Sequence, residues 1–328
     1  MKAVWFETFG SAADALVFGD QPKPHADPGQ VLVKLATTGV NPSDVKKRAG
    51  AFPNLLEDGP VIPHSDGAGV IEAVGEGVDA SRVGERVFVY QAQYGRRLGT
   101  AAEFVAVESK RAPLLPDSAS FEVGACIGIP MMTAHRCVFA DGDVRDQRVL
   151  VTGGAGRVGY YAIQLARWAG ATVIATASNA EDEAICRAMG AEHVVNHRLP
   201  GWGQAVVERL EGDKVDRVID VEFGENLPEL LNCVRTGATI ATYASTQVKE
   251  PKLPFLQMMF MDLTIRMVIV YAMPESAKAQ AISDICNLLS EGKLQHRVGH
   301  RLPFEEMVQS HELIEQGGFG GCVVVSLS

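Results

Sequence analysis

Residues 148–159, RVLVTGGAGRVG, constrain this chain more than any other stretch. A β-branched run ends in a glycine cluster and passes at once into residues 158–168, which keep apolar side chains at helical spacing. Gly154, Gly156 and Gly159 fit G-x-G-x-x-G, with Gly153 immediately before them. Alone the pattern is weak, and its surroundings make it specific. Strand-like runs at 171–177, 193–196, 215–221 and 238–243 alternate with helical segments at 181–189, 202–210 and 227–234. That alternation predicts a doubly wound parallel sheet of the Rossmann type. In such a loop the first glycines let the chain turn and approach a pyrophosphate, and the last permits close helix–strand packing. The opening turn of the helix, Arg157 and Val158 included, offers amide groups and a positive dipole end to that anion.

The end of the second strand bears on which dinucleotide is bound. An acid there binds a ribose 2′-hydroxyl and favours NAD. Here the run ends Thr176-Ala177-Ser178-Asn179, without an acid. Ser178 and Asn179 are small donors for a 2′-phosphate, and His197 and Arg198, after the next strand, add positive charge. These residues lean the reading to NADPH over NADH. Glu181, Asp182 and Glu183 follow and read as acids stabilising a helix N-terminus.

The rest of the chain has a different texture. Up to about residue 122 it is rich in short β-branched runs (31–35, 69–74, 86–90) separated by turn clusters, which predicts a barrel-like or sandwich-like β domain. Helices are expected at 275–290 and 305–315, with a last strand at 323–327. A chain of 328 residues fits about two domains. The formal net charge of −10 excludes a general phosphate-backbone binder, so nucleic acid is not expected as the main partner. The same charge argues against an anionic membrane surface. The most apolar late stretch, 255–273, is interrupted by Asp262 and Arg266, so no membrane span is expected. The six cysteines form no C-x-x-C pair and read as reduced thiols, and MKAVWFETFG lacks an apolar leader core. A cytoplasmic protein is expected.

Segments along nearly the whole chain carry a family resemblance. They are GVNPSD at 39–44, PHSDGAG at 63–69, VGERV at 83–87, GIPMMTAH at 128–135, the glycine loop, VNHR at 195–198 and His311-Glu312. With these the chain resembles the zinc-free quinone oxidoreductase, zeta-crystallin-like branch of the medium-chain dehydrogenase/reductase superfamily. The resemblance implies a GroES-like β-barrel-type catalytic domain from residues 1–122 and 266–328. A Rossmann domain at 123–265 lies between them, with the cofactor in the cleft.

It also implies site residues. Asn41 stands where zinc-dependent relatives carry a catalytic cysteine, Ser65 where they carry a histidine, and Ile129 near their later cysteine. A catalytic zinc needs three protein ligands plus an open position, and only Asp66 remains as one, so no metal is expected. The resemblance puts Asn41 and Thr133 at the reacting centre and beside the cofactor. It puts Ser245 and Tyr271 near the nicotinamide, Tyr271 also reading as a core aromatic. Phe52, His64, Met131 and Met132 are read as acceptor-pocket candidates, the methionines because they adapt to flat apolar shapes, with ordinary core or dimer packing as the other reading of Phe52 and the methionines. For His64 the residues themselves also allow a satisfied polar group on a turn. Hydride transfer without a Lewis acid suits an acceptor that takes hydride readily. The expected activity is NADPH-dependent, zinc-independent reduction of a quinone. An enone or alkenal double-bond reductase and a non-catalytic NADPH-binding protein remain as alternatives. Relatives imply a homodimer through the region 258–270.

Overall fold

The computed structural model describes residues 1–327. Its early strands are β1 (Lys2–Phe6), β2 (Leu16–Asp20), β3 (Gln30–Val40), β4 (Asp66–Val74), β5 (Arg86–Val89) and β6 (Phe104–Glu108). The middle of the chain forms β7 (Arg148–Val151), β8 (Thr172–Ala177), β9 (His193–Asn196), β10 (Val215–Asp220), β11 (Val234–Thr242) and β12 (Thr264–Met267). The tail adds β13 (Val298–Leu302) and β14 (Cys322–Ser326). The chain divides into two compact units. One is Met1–Ile129 with the chain from Ile282 onward, and the other is Pro130–Ala281.

In the first unit β13, β14, β3, β4 and β5 lie in that order in one sheet, with β6 on β3, while β1 and β2 form a separate pair. β14 runs antiparallel to β3, Val324 opposite Gly39, so the tail is built into the sheet begun by the first hundred residues. Alternate residues of β3, Val31, Val33 and Leu35, enter a core with Ile71, Val87, Val105, Val323 and Val325. One face of a strand is buried by its period of two.

The second unit is a parallel six-stranded sheet in the order β12-β11-β10-β7-β8-β9, the doubly wound arrangement. Its central strands bury nearly every residue, as a sheet covered on both faces requires. β12 pairs only with β11 and is an edge. It was not legible as a strand, and it corrects one expectation: a break at 265/266 would cut through it. Among the described residues no helix is long and apolar enough to cross a membrane.

Candidate functional site

The glycine loop lies at the carboxyl end of β7, where open parallel sheets bind ligands. Gly153 takes φ +59° and makes the turn, a conformation that a side chain disfavours. Its N–H donates to Thr176 Oγ1 (3.0 Å), and that of Gly154 donates to the Thr176 carbonyl (2.9 Å). A Cβ on Gly154 would lie 2.7 Å from Cys186 Sγ and 2.9 Å from Ala175 Cβ, and one on Gly159 would lie 2.4 Å from the Gly153 carbonyl. Gly153 therefore turns the chain, while Gly154 and Gly159 let backbone and helix close up. Gly156 is the N-cap of the helix Arg157–Trp168, on which Arg157 and Val158 are half-buried.

Beside the loop a belt of polar groups that sequence reasoning missed joins three strand ends. Asp220, at the end of β10, is fully buried. Its carboxylate accepts from Thr152 Oγ1 (2.8 Å), Asn226 Nδ2 (2.8 Å) and Thr242 Oγ1 (3.2 Å). Burial raises its pKa, and those three bonds hold the rise back. The acid ending VDRVID was a visible signal; its partners, far along the chain, were not.

At the end of β8, Asn179 caps the helix Ala180–Ala188, its Oδ1 accepting from the Asp182 N–H (2.9 Å). Ser178 Oγ and Asn179 Nδ2 both donate to Asp182 Oδ2, each at 2.8 Å. The backbone N–H of exposed Arg198 donates to Asn196 Oδ1 (2.9 Å). His197 is half-buried with Nδ1 unpaired. Burial lowers its pKa, and the Arg198 charge lowers it further against the pull of Asp182. Burial and Arg198 thus both disfavour the positive charge expected of His197. Ser245 Oγ donates to the Val248 carbonyl and accepts from the Gly224 N–H, so the hydroxyl ties down its own loop. Tyr271 and Thr133 are buried. Met131 and Met132 are wholly inaccessible (0 % each), which corrects their reading as pocket-lining residues.

The first unit holds a second cluster. Asp66, at the start of β4, is fully buried, and its Oδ2 accepts from Asn41 Nδ2 (2.9 Å) and from the Ile129 N–H (2.8 Å). Ile129 is the first residue of the helix Ile129–Phe139, so the carboxyl lies against a helix start. Asp66 Oδ1 has no partner, and Gly128 packs so close that a Cβ there would lie 2.1 Å from it. Burial pushes the Asp66 carboxyl up to about 8, the two N–H bonds and Lys47 opposing and the Asp44 charge adding. With Oδ2 accepting twice, the proton belongs on Oδ1. Asp44 accepts from the Asn41 N–H (2.8 Å) and is raised by burial to about 6, held back by Lys47.

His64 takes a left-handed backbone (φ 74°) on a turn and is fully buried. Its Nδ1 meets Thr38 Oγ1 (3.0 Å) and its Nε2 meets His311 Nε2 (2.9 Å). With both ring nitrogens used inside the unit, His64 is an internal link, which corrects its reading as an acceptor-lining group. Burial depresses both imidazoles, His311 to about 3, and each is neutral at neutral pH. Phe52 is half exposed.

Comparisons with known proteins follow the same division. Residues 27–117 match the alcohol dehydrogenase GroES-like domain, and residues 158–286 match the family described as zinc-binding dehydrogenase. The quinone oxidoreductase of Rattus norvegicus is 30% identical over 336 residues, covering 100% of this chain and 98% of that protein. A solved NAD-dependent alcohol dehydrogenase superposes with a TM-score of 0.88 at 28% identity, covering 100% of both chains. A mycobacterial protein solved with NADPH gives 0.87 at 26% identity, over 99% of this chain and 100% of the other. The chain belongs to the medium-chain dehydrogenase/reductase superfamily, in its quinone oxidoreductase branch.

The family description raises zinc, and the donor set answers it. Asn41 presents an amide already donated to Asp66, Asp66 Oδ2 already accepts twice, and the nearby thiol of Cys126 is packed with Cys322, Ala125 and Val324. Among the described residues no three His, Cys, Asp or Glu side chains converge as metal ligands. These residues do not fit a zinc ion. The loop does fit a dinucleotide, because the positive φ of Gly153 turns the chain at the end of β7 and the close packing allowed by Gly154 and Gly159 sets the start of the helix Arg157–Trp168, with its amide groups, beside that turn.

Proposed function

We propose that this chain is an NADPH-dependent oxidoreductase that reduces a quinone-class acceptor without a metal. The observation that carries the reading is the glycine turn at the end of β7, with Gly153 at positive φ and no room for a side chain on Gly154 or Gly159. Bound there, the reduced nicotinamide nucleotide supplies hydride. The amides opening the helix Arg157–Trp168 hold the diphosphate, and Ser178, Asn179 and Arg198 surround the adenosine ribose. Asn41 and Thr133 are the groups we assign to the reacting centre, Asn41 being oriented by its bond to Asp66. Fixing both reactants in one geometry is the main contribution a protein makes to such a transfer. The quinone acceptor follows the names of the relatives.

Anaerobic mixing of the protein with NADPH and a small 1,4-quinone tests this, read by loss of nicotinamide absorbance. Turnover is expected. No oxidation with any of several quinones overturns it, and faster reduction of a conjugated enone replaces the acceptor class. We place the protein in the cytoplasm, in line with its unpaired cysteines. We propose a homodimer through the β12 edge and its apolar surroundings, where Phe260 is 78% and Met267 76% exposed. A monomer by light scattering ends that proposal.

A further inference from the structure

We infer that Asp182 sets the nucleotide preference of this chain: its carboxylate stands in for the 2′-phosphate, so NADH binds about as well as NADPH. The inference rests on the hydride-transferring function proposed above and widens its cofactor from NADPH alone to either nucleotide. Ser178 and Asn179 are the two uncharged donors at the end of β8, and both point their protons at the same oxygen, Asp182 Oδ2, at 2.8 Å. Asn179 Nδ2 also reaches Ser178 Oγ (3.2 Å), which closes the trio. The remaining oxygen of Asn179 is spent on the helix cap. The geometry is that of two donors gripping an anion, and the anion is supplied by the chain itself.

A 2′-phosphate entering this place meets two obstacles. It must displace a carboxylate from its donors, and it brings ≈ −1.5 to −2 charges toward that carboxylate. On the cationic side, Arg198 is the one permanent charge of the pair expected there, since burial and Arg198 itself disfavour a charge on His197. A ribose 2′-hydroxyl meets neither obstacle, since it can donate to the free lone pairs of Asp182 as it does to the acid of NAD-binding sheets. The acid here does not end the strand. It reaches the same place from the first turn of the following helix, one turn beyond Asn179.

Equilibrium titration with NADPH and with NADH, read by nucleotide fluorescence, tests this. The wild-type dissociation constants are expected within about threefold of each other. Asp182→Ala frees both donors and removes the charge, and it should tighten NADPH about tenfold or more while NADH stays level or weakens. Asp182→Asn keeps an acceptor oxygen but not the charge and should fall between, which also guards against misfolding of the alanine variant. Ser178→Ala should matter little in the wild type, where the hydroxyl is committed to Asp182. It should weaken NADPH in the Asp182→Ala background, and the double-mutant cycle reads that coupling. Glu183→Gln removes a charge from the same turn, where Glu183 pairs with Arg187, and should leave the ratio unmoved. An unchanged NADPH/NADH ratio in Asp182→Ala, with both nucleotides bound, overturns the inference and spares the function. An equal shift in Glu183→Gln also overturns it, showing bulk charge only. Binding of neither nucleotide to the wild type overturns the function itself and this inference with it.

Discussion

The two polar clusters are built on opposite plans. In the parallel-sheet unit they are assembled from strand ends and the turns that follow them, and three glycines of one loop decide the geometry. In the other unit the cluster is assembled from distant points of the chain: His64 meets His311 across 247 residues of sequence, and Asn41 meets Asp66 across 25. The first plan gives its two carboxylates, Asp220 and Asp182, donors on the neighbouring strand ends and turns, Thr152 lying 68 residues from Asp220, and leaves His197 Nδ1 unpaired. The second leaves Asp44 Oδ1, Asp66 Oδ1 and His311 Nδ1 buried without a partner. Function that depends on local backbone shape can be broken at one glycine. Function that depends on convergence is broken by removing one partner and leaving the other stranded.

The largest effect should come from the loop. Gly159→Val puts a Cβ 2.4 Å from the Gly153 carbonyl and 2.9 Å from Gly154 Cα, both backbone atoms that cannot rotate away. A cost of roughly 2–3 kcal/mol in stability is expected from overpacking, with nucleotide affinity lost about 100-fold or more as the helix start is pushed off the turn. Denaturant titration and nucleotide titration together check this. Undiminished binding would show that the loop tolerates a side chain and does not approach the ligand.

The converged cluster should answer differently. His311→Leu keeps much of the volume and strands His64 Nε2, which has no other partner within hydrogen-bonding reach. About 2 kcal/mol of destabilisation is expected, the cost of one unsatisfied buried polar group. Nucleotide affinity should change less than about twofold. A large loss of affinity with little loss of stability would make the histidine pair part of the binding machinery and erase the contrast between the clusters.

How much of this was legible follows from the same difference. The helix Glu275–Ser290 stands where the pattern placed it because its apolar period repeats several times, and the strand His193–Asn196 does so on its β-branched pair between two helical segments. The glycine motif was legible because its residues are contiguous, although Gly153 makes the turn that the pattern assigns to the glycines after it. β12, TIRM, was not legible: an edge strand of mixed polarity is defined by its pairing with β11 and by no period of its own. Asn41, Ser178 and Asn179 were found as candidates. Their partners Asp66 and Asp182 were seen only as a leftover ligand and a helix-dipole acid, because one-dimensional spacing does not show which oxygen a donor faces. His64 and the methionines 131 and 132 were misplaced for the related reason that polarity and shape do not reveal burial.

The smallest and most selective effect is a pH dependence in the converged cluster. The Asp66 carboxyl sits near 8 in the folded chain and at about 3.9 when unfolded. Between those values the folded state keeps a proton that the unfolded state has released, so its contribution to stability is full below about pH 4 and is lost as pH rises toward 8. Asp44 acts in the same direction but is spent by about 6, and His311 acts in the opposite direction only between about 3 and its ordinary value near 6.5. From about pH 6.5 to 8, then, Asp66 dominates the slope among these groups. Over that window the wild type should lose roughly 1.6 kcal/mol, the slope starting near the 1.36 kcal/mol per pH unit that one proton allows and halving as pH reaches 8. In Asp66→Asn the new Oδ1 still accepts from Asn41 and Ile129 while no charge can form, so the thermal midpoint should stay nearly level over the window. Gly159→Val in the other unit should keep the wild-type slope. Equal slopes in the wild type and Asp66→Asn would mean that Asp66 is ionised at neutral pH, and that its carboxylate is stabilised at the helix start instead of being kept neutral by burial.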